Sequence, residues 1–209
     1  MLELVPPHGS NIVLPLLVSG KEFREEMKRA KALKRVPLSS REVSDLFMFG
    51  MGAYTPLIGF MNEAEWRGVC DKMRMPDGLF WPIPITLSAN KELASSIELG
   101  ESIALCDGSN QEILAVMRLC EKYEIDKLHE CATVFKTTDY AHPGVKKVID
   151  QGNVNLSGPL KILSEGVEST ESLARAVAHS ILHCHPPRER PENSIRRGGK
   201  HRIAREGSG

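Results

Sequence analysis

The chain has 209 residues, 41% apolar and 26% charged, and its 27 Lys and Arg balance its 27 Asp and Glu. That length and apolar content allow one domain with a real core plus extra segments. Seven Arg and Lys against three Glu give Pro186–Gly209 a net charge of +4, whereas the first 166 residues hold 19 basic and 22 acidic residues, a net of −3. Charge alone therefore excludes the body as a nucleic-acid binder and leaves the tail able to hold phosphates weakly.

The opening Leu4–Gly9 stretch is extended and turn-rich. Ile12–Val18 is apolar and interrupted by Pro15, which predicts a short edge strand. Across Gly20–Leu33, residues Phe23, Met27, Ala30 and Leu33 fall roughly along one face, which predicts an amphipathic helix broken by Pro37-Leu38. Ser39 followed by Glu42 is a capping-box pattern, opening a second helix through about Phe49. Gly50, Gly52, Pro56 and Gly59 mark a tight turn region. Asn62 with Glu65 predicts a third helix to about Met73, and Pro76-Asp77-Gly78 is a turn.

Pro82–Leu87 reads as a strand whose two prolines bar a fully paired central position. Ser102–Cys106 and Ile113–Leu119 flank Asp107-Gly108-Ser109-Asn110 and form the clearest hairpin. Val154–Leu163 reads as a closing strand kinked at Gly158-Pro159. Short strands, short helices and many turns predict an α+β fold, a small barrel-like sheet with helices at its margins.

Near Gly166 the character changes, so a domain is expected over residues 1–165 and an unrelated tail over 166–209. A short helix is predicted at about 168–182, with Leu173, Val177 and Ile181 on one face. Arg188–Gly209, rich in Arg, Gly, Ser and Pro, is predicted to be disordered, because it offers almost no burial against its ordering entropy. The abrupt shift fits an out-of-frame or recombined C-terminus; a natural interaction arm is the alternative.

Five cysteines, Cys70, Cys106, Cys120, Cys131 and Cys184, are widely spaced, which predicts reduced thiols in a cytosolic protein. No signal-peptide pattern and no run of 18 apolar residues is present. His179, His183, Cys184 and His185 have metal-ligand chemistry, but adjacent His-Cys-His side chains cannot all face one ion without strain, so the spacing reads as incidental. Asp139 and His142, three apart beside Thr137, Thr138, Pro143 and Gly144, have general-base chemistry; the favoured reading is a turn that starts a helix. Arg41, Glu42 and Asp45 read as a solvated charged face. There is no GxGxxG, no phosphate-binding GxxxxGK[ST], no GxSxG and no HExxH.

Seven stretches occur in order: VPPHG (5–9), PLSSREVSDL (37–46), GAYTPLIGFM (52–61), DGLFWPIPITL (77–87), AVMRL (115–119), TTDYAHPGVKKV (137–148) and GNVNLSGPLKIL (152–163). Together they resemble the N-terminal PUA-like domain of the ATP sulfurylase (sulfate adenylyltransferase) family over about residues 2–165. The resemblance implies a PUA-like pseudo-barrel of short strands with flanking helices. It is strongest to the bacterial and archaeal homo-oligomeric enzymes. In that family a following α/β domain uses ATP with Mg²⁺, and a sulfate oxygen attacks the α-phosphorus to give adenylyl sulfate and pyrophosphate. Such a transfer needs cations and amides placed around the phosphates, supplied in the family partly by a Gln-x-Arg-Asn-x-x-His motif.

That motif is absent: the glutamines are Gln111 and Gln151, and no Arg-Asn dipeptide exists. No catalytic, cofactor-binding or metal-binding residue is therefore carried over, and no cofactor is expected in this chain. The resemblance implies a scaffold domain that is inactive alone and cytoplasmic, with a sulfurylase catalytic domain or a homo-oligomer as its partner, and without a membrane or nucleic-acid partner. Two alternatives stand beside it: a stand-alone PUA-like module for RNA, and an assembly partner of a full-length sulfurylase.

Overall fold

The computed structural model describes residues 5–163. The expected seam at Gly166, the 168–182 helix, the basic arm and the His179–His185 cluster lie outside the described residues. In chain order come β1 (Leu17–Val18), α1 (Gly20–Ala30), β2 (Lys34–Leu38), α2 (Ser40–Met51), β3 (Gly59–Phe60), α3 (Glu63–Lys72) and β4 (Leu87–Ala89). There follow α4 (Lys91–Ser96), β5 (Ser102–Asp107), β6 (Ile113–Arg118), β7 (Glu121–Glu124), α5 (Lys127–Glu130) running into a π-helical turn at Cys131–Phe135, α6 (Pro143–Asp150) and β8 (Val154–Leu163). The fold is α+β, as expected.

Helix starts follow local chemistry. Ser39 with Glu42 and Asn62 with Glu65 form reciprocal capping boxes at α2 and α3. Asn90 and Asp126 accept from the amides of Leu93 and His129 to start α4 and α5. Gly52 ends α2 at φ 75°, a left-handed conformation that glycine adopts without a Cβ penalty.

The sheet is mixed and is organised by β8. Its path runs β1-β8-β6-β5-β2, and β3, β4 and β7 also pair with β8. Residues Val154–Leu156 pair antiparallel with β4 on one side, and Val154–Ser157 with β7 on the other. Beyond the kink, Leu160–Ile162 pair with β6, Ile162–Leu163 run parallel to β1, and Gly158-Pro159 meet β3. The kinked closing strand is thus the element shared by five ladders.

Four expectations change. The first helix ends at Ala30, and Lys34–Leu38 is a strand parallel to β5. The proline there does not break the chain, because β2 is an edge strand and an edge tolerates a residue without an N–H. Within Pro82–Leu87, Leu87 alone enters a ladder, which continues to Ala89, since Pro82 and Pro84 have no amide to donate. The Ile12–Val18 strand is reduced to Leu17–Val18. The sequence reading missed α4, β7 and α5.

The core lies on both faces of β5. Ile103 and Leu105 join the main cluster with Leu46, Phe49, Phe60, Leu87 and Leu156. Ala104 and Cys106 face Phe23, Met27 and Ala30 of α1. Burial on both faces explains the nearly unbroken apolar run. The ladder slips between Leu105 and Cys106, so that Cys106 pairs with Ile113 and Leu114 is skipped. Ile113 thereby joins the α1 side, whereas Ala115 and Met117 stay in the main core. Among the described residues no helix is long and apolar enough to cross a membrane.

At the kink there is no room for a side chain. A Cβ on Gly158 would meet the Arg118 carbonyl oxygen, and one on Gly59 the Gly158 carbonyl oxygen. Denaturant unfolding of Gly158→Ala is expected to show a loss of about 3 kcal/mol, the upper range of overpacking costs. Gly100→Ala, at φ 84° but with nothing within 4 Å, should lose about 1 kcal/mol. Equal losses would contradict this reading of the kink.

Candidate functional site

The charged face of α2 turns inward, and the expected solvation of Glu42 and Asp45 is corrected: they are 3% and 7% exposed. Glu42 Oε2 accepts from Ser39 N at 2.8 Å and Ser39 Oγ at 2.7 Å. Its Oε1 accepts from Ser88 N at 2.9 Å and Ser88 Oγ at 3.3 Å, tying α2 to β4. Asp45 Oδ1 accepts from the Tyr54 hydroxyl at 2.8 Å. Its Oδ2 has no hydrogen-bond partner and lies 3.9 Å from Arg41 Nη1. Burial raises the Asp45 carboxyl above its ordinary value, partly offset by the Arg41 charge and the Tyr54 hydrogen bond. Arg41 is partly exposed and also donates to the Thr86 carbonyl at 3.1 Å. Glu42 is fully engaged by the scaffold and Asp45 through one oxygen, so their first task is to hold α2 in place.

The Asp139–His142 stretch forms a turn and a cap. The Asp139 carboxylate accepts from Ala141 N at 2.9 Å. His142 Nδ1 accepts from Gly144 N at 3.2 Å and Val145 N at 3.4 Å, which starts α6 with Pro143 in its first turn. The His142 N–H bonds the Asp139 carbonyl at 2.9 Å, so the contact between the two residues is through backbone. At the other end of α6, the Lys127 ammonium donates to the carbonyls of Ile149 and Gln151 at 2.9 and 2.5 Å.

A second buried carboxyl lies behind α3. Glu130, 6% exposed, accepts from Trp66 Nε1 at 2.7 Å. Burial raises its pKa, outweighing the Trp66 hydrogen bond and the charge of Arg41. Next to it the Cys70 thiol is pushed up to about 12, chiefly by burial, which makes it an unreactive core thiol. Outside this cluster His129 Nε2 pairs with Asp71 Oδ1 at 2.6 Å on the surface.

Where α2, β4 and α6 meet, a cleft of about 610 Å³ opens. Its wall includes Ser40, Arg41, Ser88, Lys146, Lys147 and Gln151. A neighbouring cavity of about 450 Å³ shares Ser88, Asp150 and Gln151 and extends to Asn90–Leu93. The cleft has cations and donors but no nucleophile paired with a base, so its chemistry is that of holding a ligand. Sequence reasoning missed it because its walls come from three segments far apart in the chain.

Residues 5–165 match the model of the PUA-like domain family. The chain belongs to the PUA-like domain family. Its curated relatives include the sulfate adenylyltransferase of Syntrophobacter fumaroxidans, 57% identical over 82% of this chain and 42% of the relative. That of Chlorobaculum tepidum is 54% identical over 81% of this chain and 42% of the relative. That of Thiobacillus denitrificans is 51% identical over 79% of this chain and 40% of the relative. The chain spans about two fifths of these relatives' length, and is a partial, N-terminal PUA-like domain of their family. A solved structure described as a hexameric APS kinase from Thiobacillus denitrificans shares the fold, with a TM-score of 0.59 and 24% identity over 84% of this chain and 31% of that one.

Two outcomes test the buried carboxylates. Glu42→Gln places an amide nitrogen against two donors, and Glu42→Ala leaves all four donors without their partner. Each is expected to cost about 3 kcal/mol in denaturant unfolding; a loss within error would show that Glu42 does not tie α2 to β4. For Glu130, a folded pKa above the unfolded one means that the fold binds more protons between the two. Stability is then greatest below the ordinary carboxyl value and falls as pH rises through the raised one. Glu130→Gln keeps an acceptor for Trp66 and removes the titration. Its melting temperature should gain on the parent as pH rises above the ordinary carboxyl value of about 4, whereas a constant offset would contradict the assignment.

Proposed function

We propose that this chain is the scaffold part of a sulfate adenylyltransferase and is inactive in adenylyl transfer by itself. The observation that carries the reading is the coverage: relatives with that name align to most of this chain, yet the chain accounts for 40–42% of their length. Nothing in the 209 residues supplies the Gln-x-Arg-Asn-x-x-His segment expected of the transfer site. Attack on the α-phosphorus builds charge that needs donors preorganised around it. Among the described residues, the buried carboxylates Glu42 and Glu130 are engaged with scaffold donors. ATP with Mg²⁺ belongs, in this reading, to the rest of the enzyme. Cytoplasmic residence is part of the reading, consistent with Cys70, Cys106, Cys120 and Cys131 being free thiols.

A catalytic region of the same family, or further copies of this chain, is the partner this reading calls for. Ile58, Phe80 and Ile83 are 58%, 51% and 56% exposed, surface that costs less when covered. The fold neighbour described as hexameric supports self-association.

Purified chain supplied with ATP, sulfate and Mg²⁺ should release no pyrophosphate above a heat-treated control. Sustained release that co-elutes with the chain would overturn the reading. Sedimentation should give a mass above the 23.1 kDa monomer, and a monomer at every concentration would remove self-association from it.

A further inference from the structure

We propose that the cleft between α2, β4 and α6 binds a small phosphate-bearing organic molecule, a site separate from the adenylyl-transfer chemistry assigned above to the rest of the enzyme. The Glu42 carboxylate is engaged by Ser39 and Ser88, and both Asp150 oxygens accept from the Tyr140 hydroxyl, at 2.8 and 3.1 Å. Against the Glu42 and Asp150 carboxylates the wall sets three cations, Arg41, Lys146 and Lys147. Lys146 and Lys147 line the cleft and form no ion pair among the described residues. Lys146 Nζ lies 5.7 Å from the centre of the Tyr140 ring, a cation–π contact that accepts none of its hydrogen bonds. Gln151 Nε2 is a buried amide donor with no hydrogen-bond partner. A buried donor without an acceptor is costly, and an anion seated against this wall would supply one.

Two further features bear on the ligand's class. Ser40 and Arg41 occupy the first two positions of α2, where backbone N–H groups have no partner inside the helix. This end of the helix carries the positive end of the dipole and sits on the wall beside Arg41. Arg41 and the α2 N-terminus on one side, with Lys146 and Lys147 on the other, suit an anion with several oxygens. The volume of about 610 Å³ is that of a small-molecule site. Pro37, Pro143 and Gly152 give the wall an apolar portion to lie against an organic body.

The test uses the whole 209-residue chain at low salt, with tripolyphosphate as the probe and calorimetry as the readout. The cleft should bind it saturably with a Kd below about 1 mM, weakening as salt rises. Lys146→Glu with Lys147→Glu should weaken binding about 100-fold. Lys21→Glu with Lys28→Glu on α1 makes the same change in net charge and should alter it less than threefold. Lys146→Gln with Lys147→Gln serves if the reversal disturbs the fold, and should still cost about tenfold. Equal losses in the cleft and α1 variants, or no saturable binding, would overturn the site. So would tighter binding of a six-residue oligouridylate or of hexaglutamate through the same lysines, which would give the cleft to a macromolecule. A chain that binds tripolyphosphate yet also performs adenylyl transfer would refute the scaffold reading and leave this one standing.

Discussion

Strand β8 must pair with five other strands, and most of the architecture follows from how ten residues manage it. A straight strand has two edges and fills them with two neighbours. Here the first half is flanked by β4 and β7, and the second half by β6 and β1. The change of partners falls at Gly158-Pro159, where β3 also approaches. Glycine is required because the Arg118 carbonyl occupies the space of its Cβ. Proline suits the next position because its missing N–H removes a donor where the ladders change over. Once β8 is placed, β6 brings in β5, and β5 brings in β2.

The polar interior closes the gaps that this sheet leaves. Glu42 begins as a local cap and ends as a tie to Ser88, 46 residues away in sequence. Tyr123 gives its hydroxyl proton to the Met61 carbonyl and receives the Asn155 amide, linking β7 and β8 to the loop before α3. Lys127 closes the end of α6. Each of these groups is costly if left alone and inexpensive when paired, so together they specify one packing of helices on the sheet.

What was legible in the sequence was local. Ser39 with Glu42 and Asn62 with Glu65 are bonded at a separation of three, so their helices could be read directly. The hairpin of β5 and β6 was legible for the same reason, and Gly158 was visible as a kink. Strand β2 was hidden, because Lys34-Arg35-Val36-Pro37-Leu38 acquires its strand character from lying parallel to β5. Strand β7 offers one buried residue, Tyr123, among charged ones, too little for a period to show. The Glu42–Ser88 and Trp66–Glu130 bonds join distant segments, and no local spacing announces them. The ordered motifs nevertheless carried the family, because several long stretches agreed in sequence order.

On the proposed reading, residues 1–165 support adenylyl-transfer chemistry housed in another part of the enzyme. Replacing the corresponding part of the Syntrophobacter fumaroxidans relative with residues 1–165 of this chain tests that most directly. The quantity to measure is sulfate-dependent pyrophosphate release by the chimera. If the domain is a sound scaffold, the chimera should fold and turn over near the rate of its parent. A folded chimera with no turnover would contradict the account.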